Sequence, residues 1–234
     1  MEAELRELIE HHRKAHGCAH GGLAVTVMAP RAGAPCAIVG AATGGLARSV
    51  PQPAPLTAQT WVQLASLSKC LAAVFAVEYF AGRGIGLDTP VNARLAPGAT
   101  FRLRAAAGGD PAWADAVQLQ HLLTHSALSG HYVHGFTGGT VPCVRELAAG
   151  HHGYTPVVVR AEPGTAFQYS GGGFLVLQHL LEVLEGRPIQ ELMRPFLAAL
   201  GVRNFSFGAL SSAPEPAVGH RSDGASIKKE EEEE

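Results

Sequence analysis

The spacing of apolar positions changes several times along the chain, and each change predicts an element. In residues 2–14, Leu5, Leu8 and Ile9 make a narrow apolar stripe in a charged segment, which predicts a short amphipathic helix. LAVTVM (23–28) and CAIVGAA (36–42) are rich in Val and Ile, and PRAGAP between them supplies a turn, so a β-hairpin is expected. A Pro-rich loop, SVPQPAPLT, follows. Residues 66 to about 81 predict a helix apolar on nearly all sides, closed by Gly82 and Gly84, and such a helix is expected to be buried. A loop-rich stretch then runs to Asp115. VQLQHLLT (117–124) and CVRELAAG (143–150) predict short helices, separated by a His- and Gly-rich loop from His125 to Gly139. EPGTAFQYSGGG (162–173) is expected as a turn-rich loop. Strong helices follow over FLVLQHLLEVLEG (174–186) and PIQELMRPFLAALG (188–201), the second with Pro188 near its first turn. From about Ser211 the pattern fades, and the terminal KKEEEEE is a like-charge block expected to be a solvated tail. No internal repeat is visible.

Composition narrows the function classes. The chain has 234 residues, 47% hydrophobic and 16% charged, enough for a substantial core in one or two domains. The formal net charge is -2, and no basic stripe of a nucleic-acid-binding protein is present. Cys18, Cys36, Cys70 and Cys143 are scattered without a CxxC and are expected as free thiols. The segment MEAELRELIEHHRKAHG lacks the apolar region of a signal peptide, and no uncharged run reaches the ~18 residues of a membrane span. These features predict a soluble cytoplasmic protein.

One residue stands against its surroundings. LASLSKCLAAVFAV, residues 64–77, carries a single lysine in an apolar run, three positions after Ser66. On a helix, residues three apart share a face, so the Ser66 hydroxyl and Lys69 can meet. A serine hydroxyl is a weak nucleophile until a base takes its proton. Burial disfavours the charge on a lysine, which prepares it to act as that base or to position one. A helix start adds free N–H groups and a dipole that favour a developing oxyanion. The plain alternative is a helix-capping serine beside a lysine whose head reaches water.

A second stretch changes the balance. PGTAFQYSGGGFLVLQHLLE, residues 163–182, places Tyr169 and Ser170 in a Gly-rich loop before a helix. With Ser66-Leu67-Ser68-Lys69, this resembles the serine β-lactamase and penicillin-binding superfamily in its class C-like branch. LTAQTWVQLASLSK, GIGLDTPV and LQHLLTHSALSG resemble further stretches of that branch, in the same order, and the similarity covers about residues 20–224. The resemblance implies an α+β fold of the β-lactamase and transpeptidase type. A helical region over about 60–205 would pack on an antiparallel sheet, with residues 1–220 as the domain and 221–234 as the tail. It also implies that Ser66 is the acylated nucleophile and that Lys69 is its hydrogen-bonded base or electrostatic partner. Tyr169 would relay protons between Ser66 and the leaving group or incoming water. Which of Lys69 and Tyr169 is the base stays open. A tyrosine, ordinarily near pKa ~10, needs a neighbouring cation to ionise readily. The backbone N–H of Ser66 would form half of an oxyanion hole.

Two departures from the family pattern stand out. The asparagine of its Y-x-N motif is Gly171 here, which counts more against β-lactamase action than against esterase action. Its third motif, Lys or His followed by x-Gly on a late strand, has no counterpart after Tyr169. Gly219-His220 lies in a polar stretch, and three of five family strands would be missing. The hairpin would then keep an unpaired edge and an uncovered face.

Other patterns carry less. His121 and His125 stand four apart, followed by His131 and His134, but no glutamate follows His121 as in a zinc-binding H-E-x-x-H. The run Gly171-Gly172-Gly173 lacks the GK[ST] of a phosphate loop. The expectation is a serine hydrolase, free of cofactor and metal, acting on a small-molecule ester or amide, with no nucleic-acid or membrane partner. The alternatives are a non-catalytic remnant that binds a partner or ligand, and a β-lactamase or D,D-peptidase proper.

Overall fold

A computed structural model describes residues 1–18, 20–50, 52–95, 101–130, 142–207 and 217. They fall into two compact units, residues 1–64 with 210–234, and residues 65–209. His131, His134, Gly219-His220 and the acidic terminus lie outside the described residues.

The first unit is a hairpin under a helix. Helix α1 (Glu2–Ala15) buries Leu5 and Ile9, while Leu8 faces solvent, so its apolar stripe is narrower than expected. Strands β1 (Gly22–Arg31) and β2 (Ala34–Arg48) pair antiparallel around Ala32-Gly33, and both extend beyond the Val- and Ile-rich cores that predicted them. Backbone pairing continues past the point where the hydrophobic signal stops. Leu5, Ile9 and Ala42 form a small core with Leu23, Val25 and Val27, so α1 covers the hairpin face that was expected to be open. A two-residue strand, β3 (Ala54–Pro55), pairs with the end of β2 inside the Pro-rich loop, where a strand was not expected. Proline is tolerated there because an edge strand needs fewer N–H donors.

The second unit is helical around one large core. A 3-10 turn (Ala65–Leu67) leads into α2 (Ser68–Ala81). Helices α3 (Val91–Arg94), α4 (Pro111–Ala116), α5 (Leu119–Leu123) and α6 (Val144–Ala149) are short. Helices α3 and α4 fall in the stretch expected to be loop; α4 starts on Asp110, whose side chain caps Ala112 N–H at 2.9 Å, with Pro111 in the first turn. Helix α7 (Gly171–Glu185) and α8 (Ile189–Ala199) complete the unit.

Two expectations need correction. Helix α2 buries Phe75, Ala76, Tyr79 and Phe80, but Val74 and Val77 are exposed on its other side. An all-apolar helix can be buried all round; which faces are covered depends on its neighbours. Gly171, Gly172 and Gly173 are not a loop but the first turn of α7. A side chain on Gly173 would bring its Cβ to 3.1 Å from the Leu122 carbonyl oxygen. The close approach of α7 to α5 therefore offsets the ~1 kcal/mol that glycine costs inside a helix.

Helix α7 buries Val176, Leu177, Leu180 and Leu181 against Phe80, Leu119 and Leu122 in this core. Helices α2 and α7 are also tied near their C-terminal ends. The Tyr79 hydroxyl donates to Glu185 at 2.6 Å, Arg83 donates to the same carboxylate at 2.7 Å, and the Arg83 guanidinium lies 3.8 Å from the Tyr79 ring centre. Burial first, and the Glu185 hydrogen bond next, push the Tyr79 phenol up to about 12.

Asn92 is the polar pin of the core. Its amide nitrogen donates to Leu103 O, Ala114 O and Asp115 Oδ1, and its Oδ1 accepts Leu103 N–H at 2.9 Å. Asn92→Ala strands these buried groups and should cost about 2–3 kcal/mol, read as a lower urea midpoint at unchanged slope.

Candidate active site

Ser66, Lys69 and Tyr169 meet within the second unit. Lys69 Nζ donates to Ser66 Oγ at 3.1 Å, across one helical turn. The Tyr169 hydroxyl donates to the same Oγ at 2.6 Å, across a separation of 103 residues. Lys69 Nζ stands 5.3 Å from the Tyr169 ring centre and 5.8 Å from that of Phe174. Ser66 is exposed, while Lys69 and Tyr169 are half-buried. Lys69 is thus less enclosed than its apolar sequence neighbours implied, because the exposed face of α2 begins beside it.

The electrostatic consequence falls on the tyrosine. The hydrogen bond with Ser66, first, and the hydrogen bond and charge of Lys69, next, hold the Tyr169 phenol below its ordinary range.

Local backbone geometry aims these groups. Ala65 has φ 43, a left-handed conformation costly for a residue with a Cβ, and it turns the chain immediately before Ser66. His125 has φ 55 and grips the tyrosine loop at three successive residues. Its carbonyl accepts Gln168 N–H at 2.8 Å, its ring lies 4.4 Å from the Tyr169 ring, and its Nδ1 accepts Ser170 N–H at 3.2 Å. Phe174 packs on the same imidazole, with ring centres 5.6 Å apart. Burial first, and the Lys69 charge further, lower the affinity of His125 for a proton. The neutral ring therefore keeps Nδ1 as an acceptor. The sequence placed His125 at a helix end and gave it no part near Tyr169; its signal was only the proximity of LLTHSALSG to the family pattern.

The histidine spacing that suggested a metal is used otherwise. His121 Nδ1 accepts Gln118 N–H at 3.1 Å and caps α5, and His125 faces Tyr169. Among the described residues, no three His, Cys, Asp or Glu side chains gather to hold a metal ion. No described helix is long and apolar enough to cross a membrane.

Helices together with a three-stranded antiparallel sheet of N-terminal strands give an α+β fold of the β-lactamase and transpeptidase type. The chain belongs to the β-lactamase family, whose profile matches residues 6–232. Among solved structures it is similar to the octameric penicillin-binding protein homologue from Pyrococcus abyssi (21% identity, TM-score 0.67), covering 97% of this chain and 50% of that one. It is also similar to D-amino acid amidase from Ochrobactrum anthropi SV3 (19% identity, TM-score 0.67), covering 97% and 61%. A third is the β-lactamase/D-alanine carboxypeptidase from Pseudomonas syringae (18% identity, TM-score 0.63), covering 96% and 58%. The chain thus spans about half to three-fifths of the length of these structures. No curated protein sequence matches it.

Two measurements check this geometry. In an ultraviolet difference titration, Tyr169 should ionise below the ordinary tyrosine range, and Ser66→Ala or Lys69→Met should each move it up. His125→Ala should lower stability by about 1–2 kcal/mol in urea. His125→Asn should cost less, because asparagine tolerates a left-handed backbone and returns an acceptor.

Proposed function

We propose that the chain is a serine hydrolase that opens esters or amides through an acyl-Ser66 intermediate, with Tyr169 as the proton carrier. The observation that carries this reading is the double hydrogen bond onto Ser66 Oγ, from Lys69 at 3.1 Å and from Tyr169 at 2.6 Å. A nucleophile needs a base within hydrogen-bond reach, and a base works best when its pKa lies close to the working pH. Tyr169 meets the first condition and moves toward the second.

In this reading, the Tyr169 phenolate takes the Ser66 proton as Oγ attacks the carbonyl carbon. The tetrahedral intermediate collapses, the C–O or C–N bond breaks, and Tyr169 returns the proton to the leaving oxygen or nitrogen. Water then attacks the acyl-serine and gives a proton to Tyr169, which passes it to Ser66 as the acid departs. Lys69 stays beside both oxygens and stabilises the phenolate and the emerging alkoxide. Gly171 offers no side-chain amide to a substrate carbonyl, which favours small esters over β-lactams.

The similar amidase and carboxypeptidase support amide or ester cleavage as the reaction class. The family match over residues 6–232 supports one β-lactamase-related domain made from both compact units. The four cysteines are free and exposed, which supports a reducing, cytoplasmic location. Gly171, standing where the family has an asparagine, leaves room for one other reading, a non-catalytic module that binds a partner or ligand.

Intact mass after incubation with a fluorophosphonate separates the two. The hydrolase reading expects one adduct on the wild type and none on Ser66→Ala. Lys69→Met should slow labelling by about 10²–10⁴-fold. Labelling of the wild type should speed up as pH rises and Tyr169 ionises. A chain that is folded by circular dichroism and stays unlabelled is the binding module.

A further inference from the structure

A cavity of ≈ 290 Å³ opens beside Ser66, Lys69 and Tyr169 and runs between α2 and α7. One wall is the α2 stripe below the nucleophile: Lys69, Ala72 and Phe75, three residues apart and therefore on one face. On α7 the apolar Phe174, Leu177 and Leu181 line it, with Gln178 and, from α2, Ser68 as polar members, and Ile189 and Phe207 complete the lining. Among the described residues, Lys69 is the one charged residue of the lining, and it is already held by Ser66.

These features decide what chemistry fits. An anionic or zwitterionic group placed in the cavity would lose its water and, among the described residues, meet no cation beyond Lys69, so it is disfavoured. An uncharged apolar group would gain by contact with aliphatic and aromatic walls. The volume sits at the small end of the ~300–1,000 Å³ of small-molecule sites, so it suits one arm of a substrate. From Lys69 to Phe75 the α2 wall is about 9 Å long, room for an extended chain of roughly six to eight carbons.

We propose that this cavity is the acyl subsite, and that the substrates are esters of uncharged, straight-chain aliphatic acids. The proposal rests on Ser66 as the nucleophile. The acyl carbonyl sits at Ser66 Oγ and its alkyl chain lies between α2 and α7. Ala72 sets the depth at mid-channel, because any larger residue there projects from α2 into the path.

A homologous series of p-nitrophenyl esters, acetyl to dodecanoyl, tests this on the full chain, alongside fluorophosphonate labelling. The expected kcat/KM rises about fourfold per methylene, which is ~0.8 kcal/mol per buried CH2 expressed as a rate ratio. It should level off at roughly six to eight carbons, where the channel ends. Ala72→Leu, checked for folding by circular dichroism, should move the levelling point to shorter chains. A flat or falling series on a protein that labels at Ser66 overturns the subsite and leaves the nucleophile standing. So does an Ala72→Leu variant that slows every ester by the same factor. A folded wild type that neither labels nor turns over any ester overturns the nucleophile, and the subsite falls with it.

Discussion

The 2.6 Å contact between Tyr169 and Ser66 depends on the core to which both α2 and α7 contribute. Ser66 stands just before α2 and Tyr169 just before α7, so any slide of one helix on the other separates them. The core resists that slide with Phe75, Phe80, Leu177, Leu180 and Leu181. The Tyr79, Arg83 and Glu185 cluster ties the two helices again near their far ends. A contact formed across 103 residues is held by shared burial rather than by local chain geometry. The apolar walls that hold the helices apart at the right spacing also line the channel beside the nucleophile.

Strain collects near these groups. Two of the three described non-glycine residues with a left-handed backbone are Ala65, next to Ser66, and His125, against Tyr169. Each conformation is unfavourable by itself and persists because its surroundings over-determine it. For His125 the surroundings are visible: Gln168 N–H, Ser170 N–H, and the rings of Tyr169 and Phe174. The imidazole thus does for the tyrosine loop what the helix does for Ser66 and Lys69. It removes conformational freedom before any substrate arrives. Its lowered proton affinity protects that role, since a protonated ring would lose the acceptor that Ser170 uses.

Much of the architecture was legible as local pattern. The hairpin followed from two Val- and Ile-rich runs around a turn, and α8 from its apolar period and Pro188. Ser66 and Lys69 were legible as a pair because helix spacing is itself a local property. Less legible were features set by contact between distant segments. The GGG run read as a loop, since nothing local says that Leu122 lies against Gly173. Short α3 and α4 are not legible in the sequence because one or two turns carry too little periodicity to register.

By itself the sequence determined the order of the longer elements and the chemical types present at Ser66, Lys69 and Tyr169, for which residue type and short-range spacing are enough, and its resemblance to a known family implied the class of fold. Only the tertiary structure decided that Tyr169 reaches Ser66 and that its phenol is held below its ordinary range. It alone turned His121 and His125 from a metal-like spacing into a helix cap and a clamp. It also left one face of α2 open, where an all-apolar pattern implied full burial. Those outcomes depend on which surfaces meet, and a one-dimensional pattern states only which surfaces could.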